Sequence, residues 1–472
     1  MDRGEFLYGR FRDNLGYEST SCQDSLFRDV ASFLTEDEGD ILVVNGYAGT
    51  GKTSAMAAVV TVMKSLKVPV VLLAPTGRSA KVLSSYTHSP AYTIHKHIYR
   101  QKSVGSGAFG EFSLAPNKAK DTLFIVDEVS LIGIDSAERT NAVFGTGNLL
   151  EDLVTFVRNG LGCRMILVGD AAQLPPVGLD ESPALSPEHM DQFSGVLYSS
   201  LTTVVRQEKE SGILKNATTL RHLISEGGNG SDLKFRLDGF DDIERIGGGE
   251  LLETLSDAYG FYGEDEVIVL CRSNRRANRY NAGIRSMVQY KEESLVRGDK
   301  LMIVKNCYQF VSDVEGMDYI ANGDIAKLLR ISGFEDRYGL RFASARLSFP
   351  DYGDQEITAK VCLDTLNSKS AALTYDQQNQ LYEGVLEDYS HLSTKKKRYD
   401  AVKEDPYYNA LQLKYAEAIT CHKSQGGQWQ CVFVDNPLWQ EEITQDDLKW
   451  LYTALTRAVS KVYLVNFPDS LF

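Results

Sequence analysis

No apolar run in the 472-residue chain approaches the ~20 residues that a membrane-spanning helix needs. Its opening stretch, MDRGEFLYGRFRDN, carries no apolar core of a signal peptide, so a cytoplasmic protein without membrane contacts is expected. Its seven cysteines (Cys22, Cys163, Cys271, Cys307, Cys362, Cys421, Cys431) are scattered, odd in number and never paired as CxxC. That argues against a disulfide framework and against zinc, and reads as reduced cytosolic thiols. Positive charge is short as well: 50 Lys and Arg face 64 Asp and Glu, a net charge of −14. Indiscriminate coating of nucleic acid calls for a basic domain and is disfavoured. A local basic groove stays open, because steering depends on where charges lie rather than on their sum.

The length exceeds what one hydrophobic core supports, so two large domains with insertions are expected. With 43% hydrophobic and 24% charged residues the composition is that of an ordinary globular protein.

The run ILVV (41–44) has the continuous apolar character of a buried parallel strand. GYAGTGKT (46–53) follows it, and then a helix-like SAMAAVVTVMKSL. Strand, glycine turn and helix together make a phosphate-binding loop. The glycines let backbone N–H groups face phosphate oxygens, and the helix N-terminus adds partial positive charge. The expected nucleotide-binding set is Gly46, Ala48, Gly49, Thr50, Gly51, Lys52, Thr53 and Ser54. Lys52 is expected on the β- and γ-phosphates of ATP and the Thr53 hydroxyl on Mg²⁺. In LFIVDEVS (123–130) a second buried strand ends in two carboxylates: Asp127 for the metal, Glu128 to polarise the attacking water. A third strand, in CRMILVGDAAQLPPVG (163–178), places Asp170 and Gln173 at the carboxyl edge where open α/β sheets bind ligands. Gln173 there is a candidate γ-phosphate sensor.

Further α/β segments lack a phosphate loop of their own: VIVLCRSNRRANRYNAGIR (267–285), YAEAITCHKSQGGQWQCVFVD (415–435) and WLYTALTRAVSKVYLV (450–465). Arg457, in TALTRA, and Arg206, in VVRQ, are placed to bring positive charge to the γ-phosphate from a second domain.

In order, Gln23 in SCQDSLF, GYAGTGKT, APTGRSA (74–80), TIHK (93–96), DEVS, GDAAQLPPVG, VVRQ, RSNRRANRYN, ITCHKSQGGQW and LYTALTRA span residues 23 to 458. This ordered set resembles the superfamily 1 helicases, and within them the 5′→3′ branch of RecD-type and phage Dda-type enzymes. The serine of DEVS resembles that branch. The resemblance implies an α/β fold of two RecA-like P-loop domains, residues 1–98 with 119–195 and residues 196–289 with 414–472. A β-hairpin pin at 99–118 would interrupt the first, and an SH3-like barrel with a helical arm at 290–413 the second. It implies that Gln23 reads the adenine edge, and that Gln173, Arg206 and Arg457 couple the γ-phosphate to domain closure. Thr76, Arg78, His95, His422, Lys423 and Ser424 would face single-stranded DNA. Phe109 or Phe112 would meet the last base pair of a duplex junction. The implied protein is a monomeric, Mg²⁺-dependent DNA helicase of repair, recombination or replication. Single-strand-binding or recombination proteins are candidate partners.

Some alternatives stay open on the residues alone. The hairpin segment also reads as a plain loop, and the 395–398 basic run as a solvated face. The motor itself could run on RNA, displace proteins without unwinding, or serve a recombination nuclease as its motor subunit. A switch that gates a partner without turnover is disfavoured, because Glu128 and the two arginines are present.

Overall fold

The computed structural model describes residues 2–101, 111–133, 143–204, 211–227, 230, 232–311, 317, 319–438 and 442–472. The amino-terminal half contributes strands β1 (Ile41–Gly46), β2 (Val70–Ala74), β3 (Ala91–Thr93), β4 (Tyr99–Gln101), β5 (Glu111–Leu114), β6 (Leu123–Val126), β7 (Val143–Phe144), β8 (Arg164–Gly169) and β9 (Val196–Leu201). Six of them form an all-parallel sheet in the order β3-β2-β6-β8-β1-β9. Continuous apolar strands need cover on both faces. On one face Val44 and Ile125 meet Phe27 and Val59 of the helices Ser21–Thr35 and Lys52–Ser65; on the other, Val43 and Val126 meet Leu153 and Phe156 of Leu149–Arg158.

A second parallel sheet has the order β10-β19-β18-β11-β17, from β10 (Ile243–Ile246), β11 (Val267–Cys271) and three strands near the carboxyl end. Between its halves lies a closed barrel of β12 (Lys300–Ile303), β13 (Ile325–Arg337), β14 (Leu340–Phe349), β15 (Gln355–Cys362) and β16 (Leu411–Tyr415). The sheet is completed by β17 (Ala418–Thr420), β18 (Trp429–Asp435) and β19 (Ala458–Val465). Its helices Gly212–Ser225 and Gln445–Leu455 share one core, where Leu220 and Leu451 meet Val432 and Val434. A helix pair, Tyr375–Asp388 and Lys395–Glu404, sits on the barrel through Leu381, Val385 and Val402 against Leu340 and Phe342.

Strand pairing moves two boundaries. β9 pairs along the whole of β1, so residues 196–201 belong to the first sheet and not to the second unit. β16 pairs with β12 through Tyr415, two residues past the boundary at 413. At the hairpin segment β4 and β5 pair antiparallel, with β7 parallel to β5. Its tip lies outside the described residues.

Candidate active site at the seam of the two sheets

β1 ends at Gly46, and the chain turns into the helix Lys52–Ser65 through Gly49 (φ 77°) and Gly51 (φ 79°). Only glycine adopts that left-handed backbone without strain. The turn folds the Lys52 stem back over Gly46, where a β-carbon would stand 2.7 Å from Lys52 Cγ. The ammonium donates to the carbonyl oxygens of Gly46 (2.5 Å) and Tyr47 (3.0 Å) and lies 3.9 Å from Asp170 Oδ2. Gly46 and Thr50 shape the loop from behind; Ala48, Gly49, Gly51, Lys52, Thr53 and Ser54 line a cavity of about 380 Å³.

Asp127, Glu128 and Gln173 line the same cavity from the strand ends of the first sheet, and Arg457 lines it from the second. Glu128 holds φ +54°, sparsely populated for a residue with a side chain, and its N–H donates to Asp127 Oδ1 at 2.9 Å. Burial, and then the charge of Glu128, push the Asp127 carboxyl above the usual carboxylate range. A cation at that oxygen would remove the penalty, and Asp127 and Thr53, which line the same cavity, offer the oxygen ligands a hard divalent ion takes. Gln173 is 4% exposed, and its Oε1 has no hydrogen-bond partner among the described residues.

Arg457 is 3% exposed. Among the described residues its guanidinium donates only to neutral acceptors: Thr453 O (3.1 Å), Gly427 O (3.4 Å) and Thr456 Oγ1 (3.3 Å). Among the described residues no carboxylate forms an ion pair with it. A buried cation without a counter-charge carries a desolvation penalty that an anion in the cavity offsets.

Four hydrogen bonds absent from the sequence reading clamp the second sheet to the phosphate loop and to the loop that carries Gln173. The Tyr452 hydroxyl accepts from Ala48 N–H (2.8 Å) and donates to Asp170 Oδ2 (2.7 Å). Thr453 Oγ1 accepts from Leu174 N–H (2.8 Å), and Gln425 Nε2 donates to Leu174 O (2.6 Å). Burial, reinforced by Asp170, holds the Tyr452 hydroxyl far above its ordinary pKa, so it stays a donor.

Gln23 is placed otherwise than expected. Its Oε1 accepts from Thr20 N–H (3.1 Å) in a capping box, and its Nε2 donates to Thr50 O (3.1 Å) and the Tyr17 hydroxyl (3.2 Å). With no exposure and both amide hydrogens spent, it braces the phosphate loop rather than presenting a free edge to adenine.

The strand-facing set divides. Thr76 caps the helix Gly77–Thr87 by accepting from Ser79 N–H, and Arg78 stacks over Trp429 at 4.0 Å while donating to Gln428 O (3.1 Å). Both therefore sit against the 426–429 turn of the second sheet. Half-buried His422 and Lys423 follow β17, and the Lys423 ammonium donates to Asn322 Oδ1 at 2.6 Å. Burial lowers Lys423 to about 8. Ser424 has no exposure and spends its hydroxyl on Cys421 O (2.7 Å), so it faces the core and not a strand. His95 is lowered to about 4 by burial, with its ring against Tyr99 (5.7 Å) and Tyr319 (6.3 Å). It is a neutral packing group, not a cation for phosphate. Phe112 is 8% exposed, at the base of the hairpin, with its ring 4.9 Å from Tyr308 of the barrel segment. Packed there, it does not reach a base pair. Phe109 and Arg206 lie outside the described residues.

A larger groove of about 1,300 Å³ opens at the opposite ends of the first-sheet strands. Its arginines are already matched, Arg158 with Asp40 and Arg164 with Asp37.

The AAA domain family matches residues 28–236, and the UvrD-like helicase C-terminal domain family residues 415–465. The chain is 30% identical over 453 residues to the ATP-dependent RecD2 DNA helicase of Deinococcus radiodurans, covering 94% of this chain but 49% of that protein. It is 22% identical over 478 residues to the ATP-dependent DNA helicase dda of Enterobacteria phage T4, covering 94% of this chain and 99% of that one. The chain thus spans about half the length of the first relative and nearly all of the second. A crystal structure of Pif1 helicase from Bacteroides in complex with ADP-AlF3 and ssDNA aligns at a TM-score of 0.47 and 15% identity, over 96% of this chain and 94% of that one.

Proposed function

We propose, on the premise that this chain belongs to the superfamily 1 helicases of RecD and Dda type, that it is an ATP-dependent DNA helicase moving 5′→3′ on single-stranded DNA. The observation that carries the proposal is the convergence of Lys52 and Gln173 from one sheet and Arg457 from the other on a single cavity. A buried guanidinium that meets no carboxylate and a buried amide oxygen that meets no donor among the described residues would both be completed by a terminal phosphate and its attacking water.

The finer assignments follow from that premise. The two parallel sheets are two RecA-like domains, the hairpin is the pin that splits the duplex, and the barrel with its helix pair is an SH3-like domain with an arm. Lys52 holds the β- and γ-phosphates, and the backbone N–H groups of the loop hold their oxygens. Glu128 takes the proton of the attacking water, Gln173 orients that water, and Arg457, with Arg206, neutralises charge that develops on the γ-phosphoryl group. Thr53 and Asp127 would hold Mg²⁺, which when bound neutralises phosphate charge. Loss of the γ-phosphate removes the anion that Arg457 needs and lets the second sheet part from the first. Single-stranded DNA lies along Thr76, Arg78, His422 and Lys423, at the line where the two sheets and the barrel meet. Opening exchanges the contacts of Arg78 with the 426–429 turn for contacts with the strand, and closing restores them.

A strand-displacement assay tests the proposal. Duplex with a 5′ tail should be unwound in the presence of ATP and Mg²⁺, and duplex with a 3′ tail should not. Equal displacement from both, or none from either, would refute it. Stronger stimulation of ATP turnover by poly(U) than by poly(dT) would move the substrate to RNA.

A further inference from the structure

We infer that Tyr452 decides when Lys52 is free to meet a phosphate, by occupying the carboxylate that would otherwise capture it. The inference rests on the cavity being a nucleotide site and deepens that reading. Tyr452 is carried by the second sheet's helix Gln445–Leu455 and is 1% exposed. Both partners of its hydroxyl belong to the first sheet: Ala48 N–H at 2.8 Å and Asp170 Oδ2 at 2.7 Å.

A hydroxyl has one hydrogen to give, and here it goes to Asp170. The other oxygen of Asp170 takes the N–H of Ala172 at 3.0 Å. Both carboxylate oxygens are thus met by neutral donors. The Lys52 ammonium, only 3.9 Å from Oδ2, turns instead to the carbonyls of Gly46 and Tyr47. Those are neutral acceptors, and a phosphate oxygen replaces them with a stronger, charge-assisted bond.

Without the hydroxyl, Asp170 Oδ2 is a fully buried carboxylate oxygen that has lost its side-chain donor, and Lys52 is the cation at hand. Leaving such a group unpaired is more costly than the hydrogen bond itself, so Lys52 moves onto it. A phosphate must then break a charge pair before it gains the lysine. Parting of the two sheets has the same effect, because Tyr452 leaves with the second sheet. Closure therefore presents Lys52 to the phosphate, and opening withdraws it and speeds release of product. Tyr452 is a positioning residue: it acts through Asp170 on Lys52.

The test is calorimetric titration with Mg²⁺ and adenylyl imidodiphosphate, an ATP analogue that is not hydrolysed, on the full chain. Tyr452→Phe should raise the dissociation constant about tenfold, which is ~1.4 kcal/mol. Tyr452→Phe combined with Asp170→Asn should return to within about threefold of Asp170→Asn alone, since the competing carboxylate is gone. A role in packing alone predicts no such rescue. If the double variant binds as weakly as Tyr452→Phe, or if Tyr452→Phe binds like the unaltered protein, the inference is overturned. Should Tyr452→Phe fail to fold, the double variant is compared directly with Asp170→Asn: matching affinities support the account, and a further tenfold loss overturns it. Analogue binding does not require unwinding. A protein that passes this test yet displaces no strand sinks the helicase reading and leaves the role of Tyr452 standing.

Discussion

Two of the junctions between the first sheet's unit and the rest of the molecule are built from opposite materials. At the nucleotide seam the contacts are polar and incomplete: among the described residues Arg457 has no carboxylate and Gln173 Oε1 no donor, and Lys52 donates to carbonyls with Asp170 at 3.9 Å. Under the hairpin the contacts are aromatic and complete. Phe112, Tyr308, Tyr319, His95 and Tyr99 form a chain of rings between 4.9 and 6.3 Å apart, and the Tyr99 hydroxyl is tied to Asp152 at 2.7 Å. An incomplete polar junction responds to an anion, whereas a closed aromatic one holds whatever the anion does. On the proposed reading, the difference suits a motor whose two sheets part and close while the base of the hairpin stays seated on the barrel.

Removing charge from the polar junction should have the largest effect. Lys52→Ala should lower single-strand-stimulated ATP turnover by at least about a thousandfold in a coupled phosphate-release assay. Turnover at the unaltered rate would mean the loop holds no phosphate. Arg457→Ala should depress kcat by a factor on the order of 10²–10³ and change ATP affinity only severalfold, because its charge acts on the transition state. Equal losses in both would assign it to ground-state binding.

The aromatic junction should break differently. Phe112→Ala removes a buried ring and should lower stability by about 3 kcal/mol, read as a fall in the denaturant midpoint. It should leave single-strand-stimulated ATP turnover within about twofold and reduce unwinding severalfold more. If turnover and unwinding fell together, the hairpin base would serve the seam as well. The smallest effect is a matter of pH. His95 is lowered from 6.5 to about 4, so the unfolded chain binds a proton in that window that the folded one does not. Stability supplied by the neutral ring is present above pH 6.5 and is lost as pH falls through about 4. His95→Gln should flatten the decline of Tm over that range; an unchanged slope would show that other groups carry it.

Legibility followed the range of the forces involved. The phosphate loop could be read because its requirements are local: an apolar strand, glycines where φ is positive, then a helix. β9 could not, because an edge strand with Val196 half-buried and Tyr198 exposed has no continuous apolar run. The capping box of Gln23 was visible as Thr-x-x-Gln in TSCQ, a helix-start signal that competes with a ligand role for the same amide. Phe112 shares its segment with Phe109, and spacing does not separate the base of a hairpin from its tip. Tyr452 sits in plain view in LYTALTRA, but its partners are 404 and 282 residues away. No periodicity encodes such a contact; only the docking of one sheet on the other creates it.

The central claim is that both sheets touch the same terminal phosphoryl group. Its most direct measurement is the affinity for ADP with aluminium fluoride, a mimic of that group in transfer, relative to ADP alone, in the unaltered protein and in Arg457→Ala. The account predicts that the unaltered protein prefers the mimic by at least about a hundredfold and that the variant loses most of that preference. A preference of the same size in both proteins would contradict it.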